Sequence, residues 1–112
     1  RRAYSPTHAE VMMYLTPKEL DRLTVFTLAE LARRRRARGI KLNYAEAAAI
    51  ICDEVYEEAR AGRPYEEVVA HACSLLTRDD VLPGVPEMLN VLYIDALFPD
   101  GTRLVTVRNP IR

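Results

Sequence analysis

Apolar residues along this chain follow two rhythms. Between residues 20 and 76 they recur every three or four positions; from residue 90 onward they alternate. The first period belongs to an α-helix and the second to a β-strand. Leu20, Leu23, Phe26, Thr27 and Leu31 make one helical stripe, widened by Val25, Leu28 and Ala32. A stripe so broad predicts a helix covered on more than one side. Its start is well marked. Thr16 suits the N-cap, Pro17 the first turn, and Glu19 the third position of a capping box. The helix is expected to run to about Arg38 and stop at Gly39. A second helix repeats the start signal with Asn43 and Glu46, runs from Tyr44 to Ala61, and stops at Gly62. Its alanine-rich first half permits close approach of another helix. Its second half carries Asp53, Glu54, Glu57 and Glu58; Glu54, Glu57 and Glu58 read as a solvated face, and the acidic helix offers partners within the chain. A third helix is expected over about Tyr65 to Leu76, with Val68, Val69, Ala72, Leu75 and Leu76 inward. Thr77 and Asp80 suit the caps of a last short turn through Leu82.

The alternating part places Leu92, Ile94, Ala96 and Phe98 on one face of a strand. Pro99-Asp100-Gly101 turns the chain, and Leu104 to Val107 pairs back. The fold class is therefore α+β: about four helices, three main and one short, followed by a C-terminal antiparallel β-hairpin. A lone hairpin is marginal in water, so this one must lie on the helices, on another chain, or on both. Residues 1–12 show no periodicity and read as an N-terminal extension, disordered alone or ordered against a partner. Residues 13–112 read as one domain.

Composition narrows the function. The 112 residues balance 16 basic against 16 acidic side chains, for zero formal charge, which argues against a chain-wide nucleic-acid or anionic-membrane binder. No apolar run approaches a membrane span, and no signal peptide is visible, so the cytoplasm is the default location. Cys52 and Cys73 form no C-x-x-C pair and read as buried thiols in a reducing compartment. His8 and His71 lie far apart with no metal-binding spacing, and neither serine sits in a nucleophile motif. One charged feature stands out. Arg33, Arg34, Arg35, Arg36 and Arg38 crowd the end of the first helix, more than the helix dipole calls for. Three readings stay open for them: solvation or pairing within the chain, a protein interface, or a nucleic-acid patch.

Four blocks in order resemble the gamma subunit of bacterial urease. They are Leu15 to Asp21, Arg36 to Ala47, Leu76 to Val81 with Gly84 to Met88, and Phe98 to Val107 with Asn109-Pro110-Ile111. The resemblance implies a structural, non-catalytic subunit of an enzyme that hydrolyses urea to ammonia and carbamate. It implies two nickel ions in a partner alpha subunit, held by several histidines, an aspartate and a carbamylated lysine. This chain would hold no cofactor, metal or catalytic residue of its own. Its partners would be the beta and alpha subunits, in a trimer of heterotrimers, with no nucleic acid and no membrane. Arg34, Arg35, Arg38, Tyr44, Glu87 and Met88 are the candidate interface residues. Three features depart from the family pattern: Arg108 stands where the family commonly has a histidine, Asn90 to Ile94 is more apolar than usual, and the extension falls outside it. The alternative is a free-standing helical module that uses Arg33–Arg38 on nucleic acid or an acidic protein.

Overall fold

The computed structural model describes residues 14–112. The extension read over residues 1–12, and His8 within it, lie outside the described residues. Helix α1 spans Pro17–Ala37, α2 Tyr44–Arg60, α3 Tyr65–Ala72 and α4 Val85–Met88; strands β1 (Val91–Phe98) and β2 (Gly101–Arg108) close the chain. A single 3-10 turn, Arg78–Asp80, precedes α4. The architecture is α+β, four helices followed by an antiparallel hairpin.

Both capping boxes form. The Thr16 hydroxyl accepts the Glu19 N–H at 3.1 Å while Glu19 accepts the Thr16 N–H at 2.8 Å. Asn43 and Glu46 do the same at 2.8 and 2.9 Å. These bonds satisfy amides that have no partner inside the helix. Gly39 ends α1 at φ +79, a left-handed conformation that a side chain disfavours. Helix α3 stops at Ala72, short of the expected Leu76. There Ser74 turns back, its N–H and hydroxyl both bonding the His71 carbonyl at 3.0 and 2.7 Å. The Pro/Gly-rich stretch after Leu82 holds a helical turn, α4, entered through Gly84 at φ +90.

Helix α2 is the hub, packing against α1, α3 and β1. It contributes Ile51, Val55 and Ala59 to the core, where they meet Val68 of α3 and Ile94, Val105 and Val107 of the hairpin. In the hairpin register Ile94 opposes Val105 and Leu92 opposes Val107 on the inward face. Tyr65 holds α3 to the outer edge of β2. Its hydroxyl donates to the Leu104 carbonyl at 3.3 Å and accepts the Thr106 N–H at 3.2 Å. So the hairpin does lie on the helices.

Two long-range ties have no counterpart in the sequence pattern. Leu42 and Val81 form a parallel bridge, with the Leu42 N–H on the Asp80 carbonyl and the Leu82 N–H on the Leu42 carbonyl, both at 2.9 Å. At the C-terminus, Pro110 and Ile111 are buried, and the Arg78 N–H bonds the Arg112 carbonyl at 3.3 Å.

The expected apolar stripe of α1 behaves differently. Only Ala29 and Ala32 are buried on this helix. Leu23, Phe26 and Leu31 are 48%, 46% and 42% exposed. Small residues take the contact with α2, Leu28 packs against the core, and Leu23, Phe26 and Leu31 stay exposed.

Candidate subunit interface

The α1–α2 seam is a lattice of ion pairs. Arg22 and Arg33 stand about three turns apart on one side of α1 and converge on Asp53. The distances are 2.8 Å from Arg22 and 2.7 Å from Arg33, one guanidinium to each carboxylate oxygen. Asp53 is 3% exposed, so it needs both partners. Arg22 also reaches Glu57 at 2.7 Å and lies 4.7 Å over the Tyr56 ring. Arg33 also reaches Glu30 at 2.7 Å and Glu54 at 2.8 Å. Burial alone would pull the Arg33 guanidinium down, but its bonds to Asp53, Glu30 and Glu54 outweigh that and raise it. Glu54 accepts from a second side, where His71 Nε2 lies 2.8 Å away. Of the run Glu54, Glu57 and Glu58 expected as a solvated face, Glu57 is exposed, while Glu54 and Glu58 are half-buried. Asp53 is buried, Glu54 is half-buried and twice bonded, and Glu57 and Glu58 pair with Arg22 and Arg63. A signal was present: Arg22 and Arg33 on one helix and Glu46, Asp53 and Glu57 on the next each repeat at whole-turn spacing.

The arginine run divides. Arg33, Arg35 and Arg36 pair within the chain, with Asp53, Glu46 and Asp80 respectively. Glu46 is buried, and its carboxyl is held below its ordinary value by the Asn43 amide, against the opposing effect of burial and with help from Arg35. Arg34 and Arg38 are exposed and make no ion pair among the described residues. Of the other candidate residues, Tyr44 and Met88 are exposed, while Glu87 pairs with Arg78 at 2.8 Å. The Arg36–Asp80 pair, the bond from Lys41 to the Asp79 carbonyl and the Leu42–Val81 bridge draw these segments together where α1 ends and α2 begins. Arg108 makes its contacts through its carbonyl, which accepts from Cys73 Sγ at 3.9 Å and Arg112 at 3.5 Å.

A cleft of about 850 Å³ lies between α1, α2 and β1, lined in part by Lys18, Arg22, Cys52, Tyr56, Arg60 and Asp95. Arg22 is already committed to carboxylates. Cys52 is a free thiol whose pKa burial pushes up to about 11, so it stays protonated at neutral pH. Cys73 is free as well. Among the described residues no three His, Cys, Asp or Glu side chains converge as metal ligands. No helix among the described residues is long and apolar enough to cross a membrane.

Comparison with known proteins places this arrangement. The profile of a family described as "Urease, gamma subunit" matches residues 13–111. The chain belongs to the urease gamma-subunit family. Two relatives, each named "Urease subunit gamma/beta", come from Pseudomonas syringae pv. syringae (strain B728a) and Pseudomonas syringae pv. tomato (strain ATCC BAA-871 / DC3000). Each is 53% identical over 100 residues, covering 89% of this chain and 43% of its own length. The chain therefore spans less than half the length of these curated relatives. Within the urease gamma family, the four blocks quoted above fall at α1, the α1–α2 junction, the stretch from the 3-10 turn into α4, and the hairpin with its tail.

Proposed function

We propose that this chain is the structural, non-catalytic gamma subunit of a urease, the enzyme that hydrolyses urea to ammonia and carbamate. Nickel chemistry belongs to a partner alpha subunit; this chain contributes surface and shape. It assembles with beta and alpha subunits, as a trimer of heterotrimers, in the cytoplasm. Arg34, Arg35, Arg38, Tyr44, Glu87 and Met88 are its proposed contact residues, with Arg34 and Arg38 the least committed within the chain. The observation that carries this reading is the family match over residues 13–111. Large exposed apolar side chains on α1 and on the outward hairpin face, Tyr93, Leu97 and Leu104, support it further, because such surface is typical of a subunit apart from its partners.

The test is co-expression with beta and alpha subunits, followed by mass, nickel content and urea turnover of the complex and of the lone chain. The expected result is a three-chain complex that turns over urea and a lone chain that neither does so nor retains nickel. Urea turnover by the lone chain, or its absence from the complex, sinks the reading. The alternative, binding of the Arg33–Arg38 run to nucleic acid, predicts retention that falls steeply with salt. Three of those five arginines are neutralised within the chain, which leaves little charge for such a patch.

A further inference from the structure

The outer edge of β2 is closed by a side chain. In the hairpin register Phe98 faces Gly101 across the turn. From that pair onward, alternate residues of β2 bond β1, while Thr102, Leu104, Thr106 and Arg108 turn their main-chain groups outward. No third strand lies beside them, since the sheet among the described residues has two strands. The Tyr65 hydroxyl takes the place of one. It donates to the Leu104 carbonyl and accepts the Thr106 N–H, so it bonds the two residues that flank Val105. Leu42 does the same, with its own N–H and carbonyl, to the residues that flank Val81. One phenolic oxygen thus serves as both main-chain groups of a residue in a parallel strand. The ring is held in turn. It stacks on Phe98 with centroids 6.2 Å apart, and the Arg103 guanidinium lies 5.1 Å from each ring. Further along the same edge, the Arg108 carbonyl is occupied by Cys73 Sγ and Arg112.

We infer that Tyr65 is a cap on the β2 edge, whose hydroxyl keeps this strand from pairing with the β2 strand of a second copy of the chain. An uncovered edge offers N–H and C=O groups at the spacing another strand requires. The outward side chains of β2 would not oppose such pairing by themselves. Leu104 is apolar and exposed, and Thr102 and Thr106 are residues that favour strands. A strand laid over Leu104 to Thr106 needs the Leu104 carbonyl and the Thr106 N–H, and Tyr65 holds both. The outer edge of β1 is placed differently: Tyr93, Asp95 and Leu97 border the cleft whose other wall is α1 and α2. The cap depends on the hydroxyl rather than the ring. Packing on Phe98 and under Arg103 would be served equally by phenylalanine; only the oxygen reaches two main-chain groups at once.

The test begins with hydrogen exchange of the full wild-type chain. The Thr106 amide is expected to be protected although no strand covers it. The Leu104 amide, outward and without a partner among the described residues, is expected to exchange freely. Equal exchange at the two positions overturns the inference. Tyr65→Phe then keeps the ring and removes the oxygen. In this variant the Thr106 amide should exchange about tenfold faster. The protein should also gain mass with concentration in sedimentation, with an intermolecular β-sheet band in the infrared that wild type lacks. Adding Thr106→Pro removes the freed donor at an edge position, where proline is tolerated, and should return the mass to that of wild type. Circular dichroism checks that each variant is folded. A Tyr65→Phe protein with the wild-type mass at every concentration overturns the inference. So does association that survives Thr106→Pro, because the contact then lies elsewhere. A Tyr65→Phe protein that no longer folds overturns it as well, by making Tyr65 an anchor of α3 rather than a cap on β2.

Discussion

Helices α1 and α2 lie side by side, yet their sequences serve different neighbours. Helix α2 buries Glu46, Ala47, Ala49, Ile50, Ile51, Asp53, Val55 and Ala59, on faces covered by α1, α3 and the hairpin. Helix α1 is longer and buries two alanines. Leu23, Phe26 and Leu31 are exposed, Leu28 packs against the core, and ion pairs tie its inner side to α2. The lesson is that an apolar side chain on a helix does not by itself say which chain it packs against. Helix α2 is a core helix of this chain, whereas α1 leaves Leu23, Phe26 and Leu31 exposed. Truncating equivalent aliphatic residues on the two helices breaks this comparison most directly. Ile51→Ala should cost the lone chain about 3–4 kcal/mol, since a fully buried side chain leaves a cavity. Leu31→Ala should change stability by less than about 0.5 kcal/mol. Chemical denaturation of the two variants measures both, and equal losses would show that α1 packs its leucines inward after all.

The next effects concern the seam. Asp53→Ala removes the carboxylate that Arg22 and Arg33 share. A fully buried pair broken in this way costs roughly 3–5 kcal/mol. Both guanidinium groups keep some contact with water, with side chains 28% and 29% exposed, so about 2–3 kcal/mol is expected here. Urea denaturation decides it; a loss below about 1 kcal/mol would reduce the lattice to decoration. Ala32→Leu acts on the same seam by crowding. Ala32 has no exposed surface, and a larger side chain should push α1 off α2 at a cost of about 1–3 kcal/mol. A neutral result would mean that the seam is loose enough to take the extra atoms.

Much of the fold was legible because local signals agreed with one another. The two capping boxes, Gly39 and Gly62 at helix ends, and the alternation from Leu92 to Phe98 all act within a few residues, and each appears where expected. Less legible were features that depend on distant partners. The Leu42–Val81 bridge joins segments with no pairing pattern of their own. The burial of Asp53 depends on two arginines of the preceding helix, 31 and 20 residues earlier. The division within the arginine run was hidden for the same reason. Periodicity shows which residues share a face, but only the position of α2 shows that Arg33 and Arg36 look inward while Arg34 and Arg38 look out. The breadth of the α1 stripe marked more apolar surface than α2 covers, since Leu23, Phe26 and Leu31 stay exposed.

The smallest expected effect sharpens the comparison at the end of α1, where Arg35 reaches Glu46 and Arg36 reaches Asp80. Glu46 is held below its ordinary value of 4.5 chiefly by the Asn43 amide, with burial opposing and Arg35 assisting. Burial would raise Asp80, but the Thr77 amide and Arg36 outweigh it and lower that carboxyl below 3.8. A carboxyl depressed in the folded state stabilises that state when ionised. The contribution is complete above the unfolded value and is lost as the pH falls through the lowered folded value. Wild type should therefore lose melting temperature progressively on acidification, starting near 4.5 and continuing below it. Glu46→Gln removes one of these titrations. The variant should melt below wild type at neutral pH, and the gap should narrow as the pH drops through the acidic window. A gap that stays constant with pH would mean that Glu46 acts through shape and the capping bond alone, not through its charge. In that case Arg35 would be as free as Arg34 to face a partner, and the inward and outward halves of the run would no longer be distinct.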